Sequence, residues 1–221
     1  MWPLHRRMDT LAADTHEFPD VGPEASDIAT RACMPATTTT DPRKLKTRAD
    51  LLQAFFGLVL DRRYHEIAIG DVLVASGVAK STFYEHFAGK DALLAASLEG
   101  PLAVLVGLVD GTSSASDAER ILQHFHDYGT VVRSLLKGPA FRVVRGELVR
   151  RVEARLDRGV KARMRIPPRI AACSIADAIL SPIVAWLDGE AACTTGELAL
   201  ALEAAVRGLR DAFVRSPPHP P

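Results

Sequence analysis

Gly77 separates two short helical runs, Ile69 to Ser76 and Lys80 to Phe87, and this arrangement limits the fold more than any other part of the chain. Glycine adopts positive φ freely, so it marks a tight turn between them. Asp41 can cap a helix upstream, and Pro42 suits its first position. In that helix Leu45, Ala49, Leu52, Phe56 and Val59 recur at steps of four and three, which predicts one apolar face ending near Arg62. A further helix begins near Lys90 and runs through Leu93, Leu94 and Leu98. Gly100-Pro101 should bend or stop it, because proline lacks a donor and clashes with the preceding turn. Short helix, glycine turn, short helix is the spacing of a helix-turn-helix.

Helical patterning continues downstream. The loop GTSSASDAER ends in an expected capping box, Ser116 with Glu119. Ile121, Leu122, Phe125, Val132 and Leu135 mark one helix, which Gly138-Pro139 closes. Phe141 to Met164 reads as a charged, water-facing helix, and Ile170 to Leu187 and Thr195 to Val214 as two apolar, alanine-rich ones. No strand pattern or internal repeat emerges, so the fold class is all-α. The expected division is a disordered extension over 1–40, the helix-turn-helix unit over 41–89, a helical regulatory and dimerisation unit over 90–215, and a disordered tail over 216–221. Met34 opens MPATTTTDPRKLK, itself a normal start, and the sequence leaves open whether Met1 to Cys33 belongs to the natural protein.

Composition excludes little. The 221 residues carry no formal net charge, so any surface for nucleic acid must be local. Cys33, Cys173 and Cys193 are an odd, scattered set without metal-ligand spacing, and imply reduced thiols. The N-terminus has no h-region. The longest apolar run, Leu102 to Val109, is far short of a membrane span, which needs about 20 residues. A cytoplasmic protein with no membrane partner is expected. His124 and His126 are two apart and face different ways on a helix, so no metal site is expected. No nucleophile–base pair or phosphate loop is visible, and neither catalysis nor a cofactor is expected.

The residues of the second short run suit a polyanion. A helix of this length fits the major groove with its first residues at the base edges. Lys80 can donate to guanine, Ser81 can donate or accept, and Thr82 offers a hydroxyl and a methyl. Tyr84 and His86 can donate to phosphate oxygens, and Lys90 stands where a helix start favours an anion. Arg43 and Lys46 make the first helix basic at its start; the plainer reading of that run is a solvated face. Phe83 and Phe87, four apart, read as core. Tyr84 and His86 have a plainer reading too, as plugs of a small domain.

DVLVASGVAKSTFYEHFAGKDALL, Asp71 to Leu94, closely resembles the helix-turn-helix and following helix of the TetR family of transcriptional regulators. With LLQAFFGLVLDRRY upstream, the resemblance covers Arg43 to Leu94. It implies that Tyr84, His86 and Lys90 position the protein on the DNA backbone. It implies a downstream domain that senses an unknown small molecule, and a homodimer formed by the last two helices on a double-stranded DNA operator. Leu198, Leu202, Ala205, Leu209 and Phe213 have the spacing for that interface, with ordinary core as the alternative. His124, Phe125, Tyr128, Phe141 and Trp186 could line an apolar cavity or simply fill the core. Three positions depart from the family pattern. Ala68 and Ala79 stand where hydroxyl caps are common, each loss worth roughly 0.5–2 kcal/mol, and Arg63 stands where glycine is frequent. The expected function is a ligand-responsive repressor on a palindromic operator. A constitutive regulator, or a helical carrier or enzyme with a vestigial helix-turn-helix, stays open.

Overall fold

The computed structural model describes residues 41–159 and 164–214. The expected extension over 1–40 and tail over 216–221 lie outside the described residues. Those described form ten α-helices and one 3₁₀ turn.

Helix α1 spans Pro42–Asp61, and Asp41 caps it by accepting from the Arg43 N–H at 2.9 Å. Its buried face is Leu51, Phe55 and Val59, while Leu45 and Ala49 are exposed and Leu52 and Phe56 half-buried. The expected stripe is therefore rotated. The run LLQAFFGLVL is apolar enough to serve two adjacent faces, and packing selects the one centred on Phe55. The chain leaves α1 extended, with φ −136° at Arg62 and −70° at Arg63. No positive φ is needed, so Arg63 carries no strain where glycine is frequent.

A 3₁₀ turn, Tyr64–Glu66, leads to α2, Ile69–Ser76. Ala68 offers no cap, but the Asp71 carboxylate takes the Ala68 N–H at 2.8 Å, which repairs half of a capping box. Gly77 ends α2 at φ 68°, as its place in the sequence predicts. Helix α3 is Lys80–His86, and α4 is Lys90–Ser97. Leu51, Phe55, Val72, Phe83, Phe87, Leu93 and Leu94 form the core of this head.

The bend falls earlier than expected. Leu98, at φ −94° and ψ 6°, separates α4 from α5, Glu99–Gly107, and Pro101 lies within the first turn of α5. Proline clashes with the carbonyl four residues back. That carbonyl belongs to Ser97, the last residue of α4, so the interruption sits upstream of the proline that causes it.

Helix α6 spans Ala115–Asp127, and its cap is Ser114 with Asp117, not Ser116 with Glu119. Both pairs fit the cap pattern; the earlier one lengthens the helix and wins. The single helix expected through Leu135 is two, because Tyr128 at ψ 30° precedes α7, Gly129–Lys137. Helix α8, Phe141–Gly159, stops short of Met164. Helices α9, Pro168–Leu187, and α10, Thr195–Phe213, follow. Helix α9 packs between α8 and α10, and α10 lies against α6. Helix α9 has the length and apolarity of a membrane span, although Asp177 and Pro182 interrupt its apolar run. Eight of its residues, among them Ile175, Ile179 and Ile183, are buried in this core instead.

Helix α10 corrects another expectation. Leu198 and Leu202 are 5% and 1% exposed within the single chain, and Leu209 and Phe213 pack on the same core. Of the expected interface stripe only Ala205 faces outward. The outward side of α10 carries Leu200, Ala201, Ala204, Gly208 and Ala212.

Candidate nucleic-acid interface

Helix α3 divides by face. Phe83 and Phe87 are 0% and 3% exposed and anchor it to the head core. On the opposite side Lys80, Ser81 and Tyr84 are exposed, and Thr82 and His86 flank them half-buried. The i, i+4 spacing does this: the pair Phe83/Phe87 turns inward and Lys80/Tyr84 outward. Tyr84 meets the Phe83 ring edge-on at 5.3 Å between centroids, so its ring is braced while about half of the residue stays exposed, at 49%. Ala79 gives α3 no side-chain cap.

Two features of this face escaped the sequence reading. Glu85 is exposed beside Tyr84 and would repel phosphates, though a carboxylate can accept from cytosine N4. The Arg48 guanidinium lies 4.8 Å from the Phe87 ring centroid, which ties α1 to the end of α3. In the basic start of α1, Arg43 and Lys46 are both exposed, and Lys46 pairs with Asp50 at 2.7 Å.

Lys90 is placed differently from the expectation. Its Nζ donates to the Tyr64 carbonyl at 2.9 Å and the Ile67 carbonyl at 2.7 Å, and lies 4.5 Å from the Tyr64 ring centroid. The Tyr64 hydroxyl donates to Asp91 in the next position. Burial, then the Asp91 carboxylate, hold the Tyr64 phenol well above the usual tyrosine range. Two of the three ammonium donors thus fasten the turn before α2 to the start of α4, which fixes the angle at which α3 is presented. Lys90→Met should cost roughly 1.5–3 kcal/mol of head stability. It should leave the slope of log affinity against log salt unchanged. A slope smaller by about 0.9 per removed contact would instead mark a phosphate ligand.

The tentative cavity residues separate. His124, Phe125 and Tyr128 line one apolar cavity of about 50 Å³ between the head and α6 and α7. Burial lowers the His124 pKa from its ordinary value, against the pull of Asp127. Phe141 packs on the core of the downstream helices, outside that wall. Trp186 lines a separate open groove with His126 and Arg133, and its Nε1 donates to the Cys193 carbonyl at 3.0 Å. Among the described residues no three His, Cys, Asp or Glu side chains form a group that could hold a metal.

Residues 56–97 match the profile of the bacterial regulatory proteins of the tetR family. The segment from within α1 to the end of α4 is thus a TetR-type head. The match begins inside α1 and ends with α4, so it contains all of α2, Gly77 and α3. Over 78 residues the chain is 30% identical to an uncharacterized HTH-type transcriptional regulator, YxbF, of Bacillus subtilis strain 168, which spans 35% of this chain and 20% of that relative. The chain therefore accounts for about a fifth of the length of that curated relative. Solved structures with similarity include a TetR transcriptional regulator from Streptococcus agalactiae 2603V, at 23% identity, TM-score 0.48, and coverage of 75% of this chain and 96% of that one. Another is the TetR family repressor AlkX from Dietzia sp. strain DQ12-45-1b, at 18% identity, TM-score 0.46, and coverage of 75% and 98%. The TetR-type head is the part whose side chains face outward in the pattern described above.

Proposed function

We propose that this TetR-family chain is a ligand-responsive repressor that binds a palindromic operator as a homodimer. The proposed reading head is 41–89 and the proposed sensor and dimer unit 90–215. The observation that carries the proposal is the division of α3: phenylalanines fixed in the core, with lysine, serine and tyrosine presented outward on one side. That is what a recognition helix needs, since its backbone must be held rigidly while its polar ends reach a groove. Lys80 and Ser81 are assigned to bases, with Thr82, Tyr84, His86 and Arg43 on the sugar-phosphate backbone. One such helix binds weakly, and two linked copies engage two half-sites together. The outward small residues of α10, with exposed Ile170 on α9 and Leu200 on α10, support a close helix-to-helix contact between copies. The break at Leu98 supports a coupling in which α4 tilts with the head when a ligand favours one arrangement of the sensor.

Selection of bound duplexes from a random pool should return a palindrome. On that duplex Tyr84→Ala should weaken binding by roughly a hundredfold or more. A hydrogen bond to a charged group is worth about 1.5–3 kcal/mol, and a dimer makes it twice. The melting temperature should hardly move, because Tyr84 is half exposed. An asymmetric consensus, or a Tyr84→Ala protein that binds as well as the parent, would sink the reading. A constitutive regulator is favoured by one observation, the small size of the cavity.

A further inference from the structure

We infer that the cavity in the seam takes an uncharged, largely apolar molecule, and that this molecule lies directly against the first helix of the reading head. The inference rests on the reading that the sensor answers to a small molecule, and adds what that molecule is and what it pushes on. One wall belongs to the head, with Phe55, Phe56 and Val59 of α1. Leu98 and Pro101, at the break between α4 and α5, and residues of α6 and α7 complete the lining.

The chemistry of the wall decides the ligand class. The polar side chains in it are Ser97, His124 and Tyr128, and it contains no Asp, Glu, Lys or Arg. The Ser97 hydroxyl already donates its proton to the Leu94 carbonyl at 2.8 Å. The His124 and Tyr128 rings meet at a tilt of 49° with centroids 4.8 Å apart, and Tyr128 meets Phe56 at 6.3 Å. A carboxylate or ammonium entering here would lose its water and find no opposite charge. An aromatic or alkyl group would find phenylalanine rings on both sides of the seam.

Size decides the mechanical consequence. The cavity is about 50 Å³, whereas an apolar cavity of about 150 Å³ accommodates benzene. A ring-sized ligand therefore enters only if the walls part. Because one wall is α1, parting them moves the head away from α6. The ligand acts on the head by contact as well as through the α4–α5 break.

Three probes of one shape and different charge test this with the full chain: toluene, benzoate and benzylammonium. Toluene is expected to raise the melting temperature and to bind in calorimetry, with benzoate and benzylammonium at least a hundredfold weaker. Val132→Phe, which fills the seam from the sensor side, should remove toluene binding. Phe56→Leu, which enlarges it from the head side, should strengthen binding of propylbenzene relative to toluene. Either charged probe binding as well as toluene overturns the ligand class. Toluene binding that survives Val132→Phe and is unaltered by Phe56→Leu overturns the location. Failure of all three probes to bind both the parent and Phe56→Leu overturns the inference entirely. Toluene that binds as expected but leaves operator affinity unchanged supports the ligand class and overturns the ligand-responsive repressor instead.

Discussion

Phe83→Ala is expected to unfold the reading head and abolish DNA binding while the rest of the molecule stays folded. Phe83 is fully buried, with Phe87 at 5.9 Å and Tyr84 at 5.3 Å between ring centroids. Removing a buried phenylalanine costs about 3–5 kcal/mol, through lost transfer energy and the cavity left behind. Small domains hold only about 5–15 kcal/mol in total, and this one already has two helix starts without an N-cap side chain, at Ala68 and Ala79. The downstream helices should survive because their core is a separate cluster of buried side chains. Of the residues downstream of α5, Leu135 and Ala140 join the head cluster, and half-buried Val131 and Val143 pack against it. A calorimetric scan should therefore show a second, lower transition that the parent lacks, with helical signal remaining above it. One cooperative transition at an unshifted temperature would show that the head core is not organised around Phe83. Tyr84→Ala, one residue along, makes the contrast: little change in melting, large change in DNA affinity.

The head was legible because its signals are local. Asp41-Pro42 starts α1, Gly77 turns at positive φ, and Phe83 and Phe87 mark the inward side of α3; each works within a few residues. What failed there depended on distant groups. The Lys90 ammonium is directed by two carbonyls more than twenty residues upstream, which no spacing reveals. The choice between Phe55 and Phe56 as the centre of the buried side of α1 was made by the helices that pack on it. In the downstream helices, positions were readable and partners were not. Leu198 and Leu202 have the same periodicity whether they meet α6 in their own chain or a second copy. Likewise His124, Phe125 and Tyr128 reached the cavity together because they lie on neighbouring turns, whereas Trp186 and Phe141 needed a fold to place them elsewhere.

Ala205→Glu should leave each chain folded and split the proposed dimer, and with it operator binding. Ala205 is exposed in the single chain, so a glutamate there costs the monomer little. The outward stripe Ala201, Ala205, Gly208 and Ala212 is small at every step of four and three, which lets a second helix approach closely. A glutamate in such a contact is too large, and its charge is buried without a partner. Linking two sites typically raises affinity by about 10²–10⁴, so losing the link should weaken operator binding by that factor, with sedimentation reporting a monomer. Leu202→Ala is the control on the same helix. Leu202 is core within its own chain, so its truncation should lower stability by about 2–5 kcal/mol and leave the folded fraction dimeric. If Ala205→Glu stayed dimeric and kept its operator affinity, the copies would have to meet elsewhere, and the outward side of α10 would lose its assigned role.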